Sequence, residues 1–239
     1  MQITGASKGQ QERVRVHNAL QRALYNRLTG LKPIQALLSL VAECRCRIFD
    51  WRHHIDTCGF IGLGELSVRG ENAEHGAAYQ PTHPKFVFDI LGDLGIDYRK
   101  YAFIDIGSGK GRTLFVAAEY PFERIIGVEF AEELHNIALR NARNFRSRTQ
   151  KCRDIQCVLM DASQYAFPLV PTVFFMFNPF RPPVLIPVLR NLNQSLIQAP
   201  RDVILIYVGA FHAHLLESET KMRQVQEGPH HKMFRFTPD

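Results

Sequence analysis

The chain has 239 residues, 46% of them hydrophobic, and a formal net charge of +6. That length holds one large domain or a domain with an appendage, and the composition is ordinary for a soluble globular protein. No run approaches the roughly 18 apolar residues that span a bilayer. The polar start Met1–Glu12 lacks the apolar core of a signal peptide.

The charge sits mostly at the front. Residues 1–50 carry eight Lys or Arg against Glu12, Glu43 and Asp50, whereas the remaining 189 residues are nearly balanced, with 21 basic and 20 acidic side chains. Val16, Leu20, Leu24, Leu28 and Leu31 recur at helical spacing, which predicts an amphipathic helix over residues 12–29. Pro33 starts a second helix with an apolar body from Ile34 to Val41. A leucine stripe of this kind packs on a neighbouring domain with its basic face outward. The alternative is a weak docking surface for an anionic partner, nucleic acid or membrane. The lack of aromatics among the arginines favours packing. A mitochondrial transit peptide is a further reading of the first thirty residues, whose one acid is Glu12.

Asp50, Trp51, Arg52, His53, His54 and Asp56 crowd together, and the stretch from Gly59 to Gly76 is rich in glycine and charge, as an irregular cover would be. Adjacent His53 and His54 do not easily ligate one metal, and Cys44 and Cys46 have no second Cys or His pair at zinc-finger spacing. Five cysteines without framework spacing are expected as free thiols in a reducing cytoplasm, and no metal site is expected. Thr82, closing Tyr79-Gln80-Pro81-Thr82, is an apt N-cap for a helix over His83–Leu94.

The richest stretch is Phe103-Ile104-Asp105-Ile106-Gly107-Ser108-Gly109-Lys110-Gly111. An apolar run bounded by glycines reads as a buried parallel strand, followed by a helix over Lys110–Glu119. Glycines let a ligand approach the backbone, and a helix start behind them presents free N–H groups to an anionic moiety. A second strand, Arg124–Glu129, ends on an acid twenty residues beyond Gly109, the spacing expected of a ribose-binding carboxylate. This is a nucleoside-cofactor site. Arg112 or Thr113 stands where a nicotinamide fingerprint wants Gly or Ala, and Gly111 follows Lys110 where a phosphate-binding P-loop wants Ser or Thr.

Beyond Glu129 helices and strands alternate as in a doubly wound α/β fold. A helix is expected over Ala131–Phe145, strands over Asp154–Met160, Thr172–Phe177 and Asp202–Val208, and a helix over Val184–Gln198. Gln224–Gln226 and Lys232–Phe236 suit a closing hairpin around Gly228-Pro229. Asn178-Pro179-Phe180, at the end of the most apolar strand, lies where ligands of open sheets bind.

Asp105-x-Gly107-x-Gly109-x-Gly111 with Gly127-Val128-Glu129 resembles the first two motifs of class I S-adenosylmethionine (SAM) methyltransferases. Asn178-Pro179-Phe180 resembles the Asn/Asp-Pro-Pro-aromatic motif of amino methyltransferases without its second proline, and also a stretch of some protein lysine methyltransferases. Tyr79-x-Pro81-Thr82 resembles a loop that closes over the methionine end of SAM in some of the latter. The resemblance implies a doubly wound, mostly parallel seven-stranded sheet over residues 79–239, with residues 1–78 as helical arm and connecting cover. It implies SAM as cofactor, held by Thr82, Asp105, Gly107, Ser108, Gly109, Gly111, Glu129, Phe130, Asp161 and Ala162. Asn178, Pro179 and Phe180 would face a nitrogen acceptor, with Phe130, Phe177, Phe180 and Tyr207 as aromatic surroundings. The acceptor itself (protein, small molecule or nucleic acid) stays open. So do a lysine-specific activity and a SAM-binding module without turnover.

Overall fold

A computed structural model describes residues 33–66 and 75–238. The expected helix over residues 12–29 lies outside them. The chain divides into two compact units, Met1–Ile48 and Phe49–Asp239. Residues 49–66 and 75–78, which the sequence assigns to a connecting cover, fall in the second unit. Helix α1, Pro33–His53, is longer than its apolar start suggests and stops where His54 turns to a φ of 59°. Among the described residues no helix is long and apolar enough to cross a membrane.

The second unit is a seven-stranded sheet in the order β3-β2-β1-β4-β5-β7-β6, where β1 is Ala102–Ile106, β2 Arg124–Glu129, β3 Ile155–Leu159, β4 Thr172–Phe177, β5 Val203–Val208, β6 Arg223–Glu227 and β7 His231–Phe236. Strands β1 to β5 run parallel and β7 is antiparallel to β5. The doubly wound, mostly parallel expectation holds. Strands β1 and β5 are buried throughout, as parallel strands covered on both faces must be. Their period of two splits the core. Ile104, Ile106, Phe174 and Met176 face helix α5, Pro182–Gln198. Phe103, Val173 and Phe175 face helices α2, Pro84–Gly92, and α3, Arg112–Ala117.

Local chemistry moves several boundaries. Helix α3 starts at Arg112 instead of Lys110, because Gly111 caps it in a left-handed conformation, φ 87°. Helix α2 starts at Pro84, whose fixed φ suits a first helical position, so His83 and not Thr82 is the N-cap, and no side chain closes that cap. Helix α4 spans Glu132–Asn144, close to its expected range. Pro182 and Pro183 open α5 two residues before the expected Val184. The short helix α6, His214–Glu219, has no counterpart in the sequence reading. The hairpin forms as expected, with a bulge between Gln224 and Gln226.

Strand order reverses between β1 and β4, whose residues pair from Ala102↔Thr172 to Ile106↔Met176. At such a switch point the following loops turn to opposite faces and leave a crevice beyond the strand ends. The glycine loop leaves β1 there, and Asn178-Pro179-Phe180 leaves β4 beside it.

Candidate cofactor and acceptor site

An open cleft of about 640 Å³ lies at this crevice, walled by Asp105, Gly107, Gly109, Glu129, Phe177 and Pro179 among others, with Tyr79–Thr82 on one side. A smaller hollow of about 280 Å³ adjoins it, lined by Met160, Asp161 and Ala162, and shares Gly107, Phe130 and Phe180 with the cleft.

The glycine loop is bare because its neighbours fill the space. A Cβ on Gly107 would stand 2.6 Å from Pro179 Cβ, and one on Gly109 2.4 Å from the Tyr79 ring. Both residues also take positive φ, 80° and 55°. The strand-four loop and the Tyr79 loop therefore press on the turn directly. Tyr79 is held there by its hydroxyl, which donates to Thr57 O at 2.7 Å, and by a bridge to Ile61. Gly76 pairs with Phe180, and a Cβ on Gly76 would stand 2.5 Å from the Phe130 ring.

Glu129 is 4% exposed, and its carboxylate accepts three backbone N–H bonds, from Gly109 at 2.7 Å, Phe130 at 3.0 Å and Ala131 at 2.9 Å. Burial pushes its carboxyl up, and the three donors work against that by favouring the ionised form. A carboxylate has about four lone-pair directions, so one remains for a hydroxyl. Asp105, also buried, has its carboxyl pushed up to about 8 by burial, opposed by a hydrogen bond from Thr113 and reinforced by Glu129. Two acids beside a glycine turn suit a cationic ligand that also offers hydroxyls, and SAM is such a ligand.

Other expected residues take mixed positions. Thr82 lines the cleft, and its carbonyl accepts from Arg112 Nη1 at 3.4 Å. Ser108 reaches the cleft, but its Oγ is buried, without a hydrogen-bond partner, in the space above Gly127. Gly111 serves the turn and packs against Phe115. Asp161 caps the turn Ala162–Gln164, accepting from Ser163 N at 2.8 Å, and its residue borders the smaller hollow with Ala162. Pro179 and Phe180 stand in the cleft wall. Asn178 does not: its Oδ1 accepts from Tyr207 OH on β5 at 3.1 Å. Phe130 and Phe177 are in the wall, whereas Tyr207 is buried behind it.

Arg112, 2% exposed, is the main participant that the sequence does not single out for binding. It donates to Thr57 Oγ1 at 2.6 Å, Cys58 Sγ at 3.1 Å and Asp50 Oδ1 at 3.3 Å. Asp50 in turn accepts from the N–H groups of Thr57 and Cys58. The signal was a bulky cation where a dinucleotide fold keeps a small residue, but nothing local pointed to Asp50. His53, not expected to ligate a metal, donates through Nδ1 to Arg146 O at 3.0 Å.

Residues 72–155 match the family model of histone methylation protein DOT1. No curated protein matches the chain. Among solved structures, a predicted N6-adenine-specific DNA methylase from Listeria monocytogenes is 12% identical, with a TM-score of 0.50 over 74% of this chain and 55% of that one. A Pyrococcus horikoshii protein is 15% identical, with a TM-score of 0.49 over 67% and 93% of the two chains. Magnesium protoporphyrin IX methyltransferase from Synechocystis, solved with bound SAM, is 13% identical, with a TM-score of 0.46 over 65% and 80%. The chain spans about half the length of the first of these. The DOT1 match takes in Tyr79–Thr82, the glycine turn and Glu129 and ends at the start of β3, which is the cofactor half of a sheet in this order. Residues 72–155 are thus similar to a SAM-dependent methyltransferase family, on a doubly wound, mostly parallel sheet.

Proposed function

We propose that the protein transfers a methyl group from SAM to a nitrogen acceptor held at Asn178-Pro179-Phe180. The observation that carries this reading is the contact of Pro179 with Gly107, which brings the loop after β4 onto the cofactor turn. SAM supplies an electrophilic methyl group on a sulfonium. The chain's own task is to hold an uncharged, lone-pair-bearing nitrogen in line with it, since positioning is what such a displacement needs most. Glu129 is assigned to the ribose, Asp161 with Ala162 to the adenine, and Thr82 and Asp105 to the amino-acid end. Phe130, Phe177 and Phe180 line the methyl side, where aromatic faces favour a sulfonium or an ammonium product.

A protein lysine as acceptor is supported by one observation, the match to a histone methylation family. That match ends at residue 155, before β4, so it speaks for the cofactor half and leaves the acceptor loop unaddressed. Incubating the protein with tritiated SAM and a cell extract, then sorting label into protein, nucleic acid and small molecules, identifies the acceptor class. Label confined to lysines of protein supports the narrower reading. In the labelled fraction, Asn178→Ala is expected to cut turnover roughly tenfold or more with SAM affinity little changed. Loss of SAM binding in a folded Asn178→Ala protein would reassign the residue to the cofactor pocket.

A further inference from the structure

Asn178 has an unusual backbone and an unusual neighbour. Its φ of 41° is left-handed, a region that Asn tolerates better than most residues but that still costs energy, and such outliers concentrate at functional sites. The following loop accommodates it: Gly209, itself at φ 60°, would place a Cβ 3.5 Å from Asn178 Cβ. In the sheet, Met176 of β4 pairs with Tyr207 of β5, and Asn178 follows just beyond the end of β4. The Tyr207 hydroxyl thus reaches Asn178 Oδ1 at 3.1 Å from a fully buried position.

A carboxamide has opposite hydrogen-bonding ends, an acceptor oxygen and a donor NH2, so its orientation decides what it can hold. Here the partner chooses. The Tyr207 hydroxyl has a single proton to give, and it gives it to the Asn178 carboxamide oxygen. A buried hydroxyl proton needs an acceptor, and Asn178 Oδ1 is the one within reach. The amide oxygen retains a second lone pair for an incoming N–H.

We propose that Tyr207 is a positioning residue that locks the Asn178 carboxamide with its oxygen toward the acceptor nitrogen and so selects an N–H donor as the group to be methylated. This rests on Asn178 being the acceptor-side residue. With the lock removed, the amide can turn its NH2 toward the target, where donor meets donor. An aspartate at 178 would present an oxygen either way and would not need the lock.

The test compares five proteins: wild type, Tyr207→Phe, Asn178→Asp, the double variant Tyr207→Phe/Asn178→Asp, and Asn178→Ala. The rate of tritium transfer is measured into the extract fraction that takes label. In ¹⁵N-labelled protein, the side-chain NH2 signals of Asn178, identified by their loss in Asn178→Asp, report the amide directly without turnover. Tyr207→Phe is expected to lower turnover about tenfold at unchanged SAM affinity and to shift the Asn178 NH2 signals. The same change is expected to have little effect on turnover in the Asn178→Asp background. A Tyr207→Phe effect of equal size in both backgrounds, or unmoved NH2 signals, overturns the lock. Full turnover in Asn178→Ala overturns the acceptor reading beneath it, which separates the two failures.

Discussion

Asp105 shows how burial prepares a single residue for a charged ligand. With its carboxyl pushed up to about 8, mainly by burial, it is largely protonated near neutrality in the free protein. A cationic ligand in the adjoining cleft favours the ionised form, so SAM binding near pH 7 is expected to release a proton, and affinity to rise with pH up to about 8. Calorimetry in buffers of different ionisation enthalpy measures that proton. Asp105→Asn should abolish it, and identical release in that variant would assign the proton elsewhere. Glu129 differs in having three backbone donors that favour its ionised form, against a burial that still pushes its carboxyl up. The spacing of Glu129 from Gly109 was legible in the sequence, since a strand, a tight turn and a helix leave little freedom in that length. The protonation of Asp105 was not, because it depends on how completely neighbouring elements exclude water.

At the scale of elements, a buried clamp joins the first turn of α3 to segments far away in the chain. Arg112 holds Asp50, at the end of α1, together with Thr57 and the carbonyl of Thr82. Removing one partner of a buried ion pair leaves the other charge uncompensated, at a cost of about 3–5 kcal/mol. Arg112→Ala is therefore expected to lower the urea midpoint strongly and to loosen the Tyr79–Thr82 wall, with weaker SAM binding. Asp50→Asn combined with Arg112→Met removes both charges and should regain much of the stability but not the wall. A urea midpoint for Arg112→Ala close to wild type would show that the clamp carries no such weight. Helix and strand identities followed from periodicity. The errors fell where a cap or a proline decides: His83 replaced Thr82 as N-cap because Pro84 occupies the first turn, and Gly111 delayed α3 by its left-handed φ.

For the whole molecule, two buried histidines and Asp105 set opposite limits on stability. His135 and His231 are buried with ring nitrogens that lack partners, and burial holds both below the usual histidine range, His231 further so through His230. Because their folded pKa is depressed, the unfolded chain takes up protons first as pH falls. The stability they contribute is present above about 6.5 and is lost below it. Asp105 has the reverse sign: its folded pKa is raised, so its contribution is complete below about 3.9 and is lost as pH rises through about 8. Thermal midpoints across this range should fall on the acid side below about 6.5, and His231→Phe, packed edge-on by Phe86, should flatten that limb. An unchanged acid limb in that variant would assign the loss to other groups.

By itself the sequence determined the fold class and the cofactor, and it pointed to the carboxyl ends of the central strands for the site. These depend on short-range regularities: apolar runs, glycines at a turn, an acid twenty residues on, and alternation of strand with helix. Only the tertiary structure decided which side chains meet across the crevice. Asp50 lies 62 residues from Arg112, and Asn178 lies 29 from Tyr207. Neither spacing follows a helical or strand repeat. Such pairs exist because the segment Asp50–Cys58, the start of α3, β4 and β5 are brought together within one unit, where a buried polar group must find its partner in whatever segment the fold brings near.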